Sequence, residues 1–207
     1  MKKILIGLLA LLSITYAVEK TGCVLVQPDT MNVTWKAYKT LGKIGVGGKF
    51  TAVSYTPNAK EGKNFKELFV GSKVTIDSAK IDTGNPGRDD TLVKMFFAKL
   101  AGSTIDATIT DIKKTDKHEK GKPRTGVVSV KITLNAKTLT IPMNYVYENE
   151  NFNATGTIDL FDFTANEALS SINKSCYKLH KGKTWSDVSI GFSTTVKATL
   201  CNVNIKK

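Results

Sequence analysis

Asp82, Arg88, Asp89 and Asp90 lie close together in one segment, Ile81-Asp82-Thr83-Gly84-Asn85-Pro86-Gly87-Arg88-Asp89-Asp90. Three carboxyls and a guanidinium at short range have the residue types of an acid–base set for hydrolysis or isomerisation. Their spacing is also what a helix start produces. Asn85 is a capping residue and Pro86 suits a first helical position. No nucleophile–base arrangement accompanies them, and no Gly-x-Ser-x-Gly elbow occurs. The two histidines, His118 and His180, lie in lysine-rich stretches with no cysteine or second histidine at metal spacing. They read as exposed. Gly42, Gly45, Gly47 and Gly48 do not form a phosphate loop, because they read as a bulged hairpin turn between two strands. Catalysis is therefore the least supported class.

The elements that must position these residues are mostly strands. Val128, Val130, Ile132 and Leu134 alternate with Ser129, Lys131 and Thr133; Leu139, Ile141, Met143, Tyr145 and Tyr147 alternate in the same way. A third run extends from Val188 to Leu200, and a shorter one covers Ile105, Ala107 and Ile109. Alternation gives one apolar and one wet face, as in antiparallel sheets. Turn residues divide the chain into eight strands, near 31–41, 44–56, 72–81, 104–115, 124–135, 137–147, 152–163 and 187–204, with Asn135-Ala136 as a tight hairpin. Helices are expected over Pro86–Lys99 and Thr164–Lys174. The fold class is all-β: an eight-stranded antiparallel up-and-down barrel with two short helices. Eight strands enclose either packed side chains or one ligand. Small residues expected to face inward, Ala107, Ala154, Gly156 and Ala198, fit a tunnel and equally a tapered, filled interior.

The N-terminus reads as an address. Met1-Lys2-Lys3, apolar Ile4–Leu12 and small Thr15 and Ala17 form the layout of a secretory signal peptide over residues 1–17, leaving one domain over 18–207. The apolar run is too short to span a bilayer. Lys20 sits where a lipidated Cys23 would need an apolar neighbour, so a soluble exported, periplasmic protein is expected. The 207 residues carry a net charge of +12, which falls by the charges of Lys2 and Lys3 on cleavage. Such a basic balance invites anionic partners, and export leaves membrane or envelope surfaces rather than nucleic acid. Two lysine groups are candidates: Lys113, Lys114, Lys117, Lys120, Lys122 and Arg124, and Lys174, Lys178, Lys181 and Lys183. Three cysteines, Cys23, Cys176 and Cys201, allow one disulfide in an oxidising compartment. Sequons at Asn32, Asn153 and Asn173 carry little weight without a known host.

The segment from Ile81 to Leu92, followed by Phe96-Phe97, resembles the signature of the YceI-like family of periplasmic polyisoprenoid-binding proteins. Lys43–Phe50 resembles its early Gly-x-Phe hairpin. Ile158–Phe163 resembles the stretch before the last strand, and Trp185–Ile190 the approach to that strand. The resemblance spans nearly the whole mature chain. The departures mark a divergent member: Thr91 stands for the usual His, Leu160 for a frequent Arg, Leu100-Ala101-Gly102 for Tyr-Pro, and Asn135-Ala136-Lys137 for a Gly-Val turn.

The resemblance implies a lipocalin-like barrel with an apolar tunnel for an isoprenoid quinone or another long-chain lipid, bound without catalysis and with no further cofactor. Trp35, Tyr38, Phe50, Phe96, Phe97, Tyr145, Phe161, Phe163 and Phe192 are the expected lining, with plain core packing as the alternative for each. Asn85, Arg88 and Asp89 are expected at the mouth. Arg88 either meets a head group or pairs with Asp89 or Asp82 to pin the turn. Gly84 is expected to supply a turn that other residues would strain. A first strand closing antiparallel against the last brings Cys23 beside Cys201, leaving Cys176 as the free thiol. The oligomeric state is open, a homodimer being compatible. The alternative function is docking on an anionic membrane or envelope surface through the lysine groups.

Overall fold

The structure is a computed structural model that describes residues 24–115 and 121–199. The chain begins with β1 (Val24–Val26), β2 (Asn32–Lys39), β3 (Ile44–Phe50), β4 (Val53–Thr56) and β5 (Glu61–Gly62), then α1 (Phe65–Phe69), β6 (Lys73–Asp77) and β7 (Ile81–Asp82). Next come α2 (Pro86–Met95), a 3-10 turn (Phe97–Lys99), β8 (Thr104–Lys114), β9 (Arg124–Leu134), β10 (Lys137–Glu148) and β11 (Asn151–Asp159). The chain then forms α3 (Asn166–Ser175), α4 (Tyr177–His180), β12 (Asp187–Thr195) and β13 (Lys197–Thr199).

One antiparallel sheet dominates, in the order β4-β6-β8-β9-β10-β11-β12-β2-β3-β7. Its edges are not independent. β4 continues directly from β3, and β7 follows β6, so one bent hairpin joins both edges. Phe50 faces Ile81, Thr51 N–H donates to the Lys80 carbonyl (2.8 Å), and Val53 faces Ile76. This curls the sheet into a barrel. The expected strands 44–56 and 72–81 are thus each broken in two where they cross from one edge to the other. At the second break, Asp77 closes a tight turn by accepting from the Ala79 and Lys80 backbones.

The last expected strand is also broken, at Val196. Its N–H donates to the Glu150 carbonyl and its side chain is fully buried. Beyond it β13 leaves the barrel for a second small sheet, β13-β1-β5. Ala198 therefore faces solvent in that sheet, not the barrel interior.

The long central strands follow their alternation. Val128, Val130, Ile132 and Leu134 are buried and pair in register with β10, while Lys131 is exposed. Asn135 and Ala136 both adopt positive φ (51° and 57°), the two-residue turn whose twist suits a hairpin. Asn135 also accepts from the Ala101 N–H and donates to the Phe163 carbonyl, tying the hairpin to the helical cap.

The five-residue α1 was not foreseen. Its signal is present: Asn64 Oδ1 accepts from Glu67 N–H (2.9 Å), and Glu67 Oε2 accepts from Lys63 N–H (2.9 Å), a variant of the capping box. α1 plugs one end of the barrel. Phe65 packs on Phe152, Tyr145 and Tyr147 and Phe69 on Phe152 at centroid distances of 4.7–5.8 Å, and the two rings lie 6.2 Å apart. α2, the 3-10 turn, α3 and α4 cover the other end. Among the described residues no helix is long and apolar enough to cross a membrane.

Candidate functional site

The barrel is packed at the α1 end and hollow at the other. A cavity of about 540 Å³ lies under α2 and α3, within the size range of small-molecule sites. Its walls come from the inward faces of alternating strands: Val74 and Ile76 on β6, Ile105, Ala107 and Ile109 on β8, and Val130 and Ile132 on β9. Ala107 was expected to face inward; the larger aliphatic residues were absent from the expected lining, although their alternation predicts which way they point. What alternation does not reveal is that no described side chain fills the space between them.

The expected aromatic residues separate into two groups. Trp35, Tyr38, Phe50, Phe96, Phe97 and Phe192 line the cavity. Phe97 sits edge-on to both Phe50 (6.0 Å) and Phe96 (5.1 Å), forming an aromatic shelf beneath α2. Tyr145 belongs instead to the packed plug, stacked on Phe152 at 4.9 Å. Phe163 is fully buried in the core and does not reach the cavity. Phe161 is 55% exposed, on the turn after β11. The alternation ends at Asp159, so these two side chains take their directions from that turn rather than from the strand.

Arg88 and Asn85 border the cavity. Neither expected ion pair of Arg88 forms. Arg88 Nε donates to Thr83 Oγ1 (2.8 Å) and Nη2 donates to the Thr83 carbonyl (2.8 Å). Thr83 Oγ1 in turn donates to Asp89, which also accepts from Thr83 N–H. Thr83 thus couples Arg88 to Asp89, and Asp89 stands behind the site rather than in it. Asp82 faces elsewhere. The Gly84 N–H and then Lys49 (3.2 Å) hold its carboxyl below the ordinary carboxylate range. Gly84 has φ +74°, the left-handed conformation expected of it. Asn85 Oδ1 accepts from Arg88 N–H (3.0 Å) and caps α2, which places the Arg88 side chain over the cavity. Among the described residues Arg88 Nη1 has no partner.

Trp35 borders the same space. Trp35 is 9% exposed, and among the described residues its buried Nε1–H has no acceptor. Its indole crosses Gly48 on the neighbouring strand. A Cβ there would stand 2.6 Å from Trp35 Cζ2 and 2.9 Å from Thr83 Cγ2. Gly48 is therefore a strand residue that lets the indole lie flat beside Thr83. Gly45 and Gly47 are also within β3, and only Gly42 is in the turn, so the expected bulged glycine turn is largely strand. Arg88 brings a guanidinium donor to a wall that is mainly aliphatic and aromatic.

The far side of the opening is formed by α4. His180 and Cys176 both border the cavity. Thr184 Oγ1 donates to Asn173 Oδ1 (2.9 Å), so it accepts from His180 Nδ1–H at 2.7 Å. Burial, and then the nearby Lys39 charge, push the His180 pKa below its ordinary 6.5. The ring is partly enclosed, unlike the exposed histidine expected. Burial pushes the Cys176 thiol up, against the pull of Lys39, so the thiol stays protonated at neutral pH. Among the described residues no three metal-ligating side chains converge. Cys23 and Cys201 lie outside the described residues, as do His118, Lys117, Lys120 and residues 1–17.

A curled antiparallel sheet, hollow at one end and capped by short helices, defines the class of lipocalin-like barrels that enclose a single cavity. The chain matches the YceI-like domain over residues 25–198, and it belongs to that family. Solved structures agree in fold. A polyisoprenoid binding domain from Saccharophagus degradans, implicated in plant cell wall breakdown, superposes with a TM-score of 0.55 at 12% identity, covering 86% of this chain and 99% of that one. Burkholderia cenocepacia BcnA gives 0.54 at 17%, covering 81% and 96%. A mutant CJ YCEI protein made for nanotechnology applications gives 0.52 at 19%, covering 75% and 85%. No curated protein matches the chain.

Proposed function

We propose that this protein binds a long-chain lipid, an isoprenoid chain above all, in the hollow half of its barrel, and carries it without chemical change. The observation that carries this reading is the 540 Å³ cavity walled by aliphatic and aromatic side chains next to a fully packed aromatic plug. An apolar chain offers no handle except burial, worth roughly 0.8 kcal/mol per CH₂, so a five-carbon isoprene unit contributes about 4 kcal/mol before the costs of ordering. The plug closes one end of the cavity and sets how much chain is enclosed. The name of the polyisoprenoid binding domain from Saccharophagus degradans supports the same ligand class.

The head group belongs at Arg88, which borders the cavity with Nη1 unengaged among the described residues. It offers donors, so the group it suits is an oxygen acceptor such as a quinone carbonyl or a phosphate. Binding without turnover is favoured because Thr83 engages both Arg88 and Asp89 and ties them to the turn before α2. The layout of residues 1–17 supports export to the periplasm. There the Cys23 and Cys201 thiols are able to join, and the described sheet ends at the Val24–Thr199 pair, close in sequence to both. Non-reducing peptide mapping should find Cys23–Cys201 with Cys176 free; Cys176 in the bridge would refute it. The lipid reading is tested by organic extraction and mass determination of protein purified without detergent from its own compartment. A stoichiometric long-chain lipid is expected. Absence of any lipid, together with failure to take up an added polyprenyl quinone or fatty acid, would overturn it.

A further inference from the structure

The two lysine groups lie at opposite ends of the barrel, and only one coincides with the cavity opening. Lys113, Lys114 and Arg124 are on the β8–β9 hairpin beside the plug, where Lys113 meets Asp111 at 3.6 Å. Lys178, Lys181 and Lys183 are on α4 and the loop after it, beside His180 and Thr184, which border the cavity. Among the described residues no carboxylate lies within ion-pair distance of these three lysines.

The same end is where apolar side chains stand in solvent. Leu41 is 82% exposed, Ile44 56%, Tyr177 61% and Leu179 76%, whereas Val146 is the large apolar residue exposed on the strands near the plug. Leu41 and Ile44 flank the tip of the β2–β3 hairpin, and Tyr177 and Leu179 are on α4. The two are fastened together. Thr40 N–H donates to the Lys183 carbonyl (2.9 Å), Trp185 Nε1–H donates to the Thr40 carbonyl (2.7 Å), and Lys43 sits over the Trp185 ring at 5.0 Å. Leu179 both lines the cavity and is exposed, so the cavity opens at this rim.

We infer that the rim formed by the β2–β3 tip and α4 docks on an anionic lipid bilayer, its apolar side chains entering the interface and its lysines meeting the lipid head groups. Lysines without a carboxylate partner beside exposed leucines complement a surface that is negative outside and apolar just beneath. Docking by this rim, rather than by the plugged end, would set the mouth of the cavity against the phase that holds long-chain lipids.

Flotation with vesicles of equimolar phosphatidylglycerol and phosphatidylcholine tests the proposal, with lipid retention in vesicle-free solution measured in parallel. The wild type should float with these vesicles and not with phosphatidylcholine alone. Lys178→Gln with Lys181→Gln should weaken partitioning about 25-fold, near fivefold per lysine. Leu41→Ser with Ile44→Thr should weaken it about tenfold per side chain, and both variants should keep their bound lipid in solution. Lys113→Gln with Lys114→Gln at the plugged end should float like the wild type. No flotation of the wild type, equal flotation of the rim variants, or a sedimentation-defined dimer that buries Leu41 and Leu179 would each overturn the inference. Lipid lost from solution with flotation intact would count against the cavity reading instead and leave docking standing.

Discussion

Ala107→Phe is the sharpest probe of the hollow barrel. Ala107 faces Val74 and Ile132 on neighbouring strands and lines the cavity. In a close-packed core such an enlargement forces neighbours off their rotamers and costs about 1–3 kcal/mol. Here 540 Å³ stands open in front of it, so the ring has somewhere to go. Lipid-free Ala107→Phe should melt at or above the wild-type temperature. The same ring takes the place of about one isoprene unit, removing about 4 kcal/mol of burial, or up to roughly a thousandfold in affinity. Thermal denaturation of lipid-free protein and titration with a polyprenyl quinone read the two effects separately. Phe152→Ala in the plug is the control. It removes a fully buried ring packed against Phe65, Phe69, Tyr145 and Phe192, and should cost about 3–5 kcal/mol, lowering Tm by about 6–20 °C. A fall of several degrees for Ala107→Phe, or unchanged quinone affinity, would refute the claim that this space is open and is where lipid binds.

Other substitutions address the head-group side. Gly48→Val puts a Cβ 2.6 Å from the Trp35 ring and should turn the indole away, costing about 1–3 kcal/mol and shifting tryptophan fluorescence as lipid retention falls. Thr83→Val removes the hydroxyl that links Arg88 to Asp89; it should lower stability by about 1–2 kcal/mol in thermal melts and weaken quinone binding more than binding of a plain hydrocarbon. His180 titrates below 6.5 when folded, so the unfolded chain takes up its proton first as pH falls. Its contribution is complete above pH 6.5 and is lost as pH drops below that value. The wild-type Tm should therefore fall relative to His180→Gln on acidification and match its neutral-pH offset above pH 7.

Much of this fold is legible in local chemistry. Period-two alternation identifies the long strands and their inward faces, Asn135-Ala136 marks its hairpin, and Asn85-Pro86 marks the start of α2. The places that read poorly are those where long-range geometry overrides the local pattern. The run 44–56 alternates as one strand, yet it must bend at Thr51–Ala52 because its two halves serve opposite edges of one sheet. Phe161 and Phe163 continue an aromatic pattern past the end of β11, where a turn rather than a strand decides their directions. α1 is too short to show a helical period and reveals itself only through Asn64 and Glu67.

The sequence by itself determined the all-β class, the inward side-chain set, the capped helix that carries Arg88, and the basic balance. Tertiary structure decided which of those inward residues meet one another and which meet empty space. Tyr145 and Trp35 are both inward-facing aromatics on regular strands. One is pressed into a plug by α1, and the other borders the cavity. The difference lies in whether a segment distant in sequence arrives to fill the barrel at that level, because burial depends on all the elements that converge at one place and strand periodicity records only the direction of a side chain.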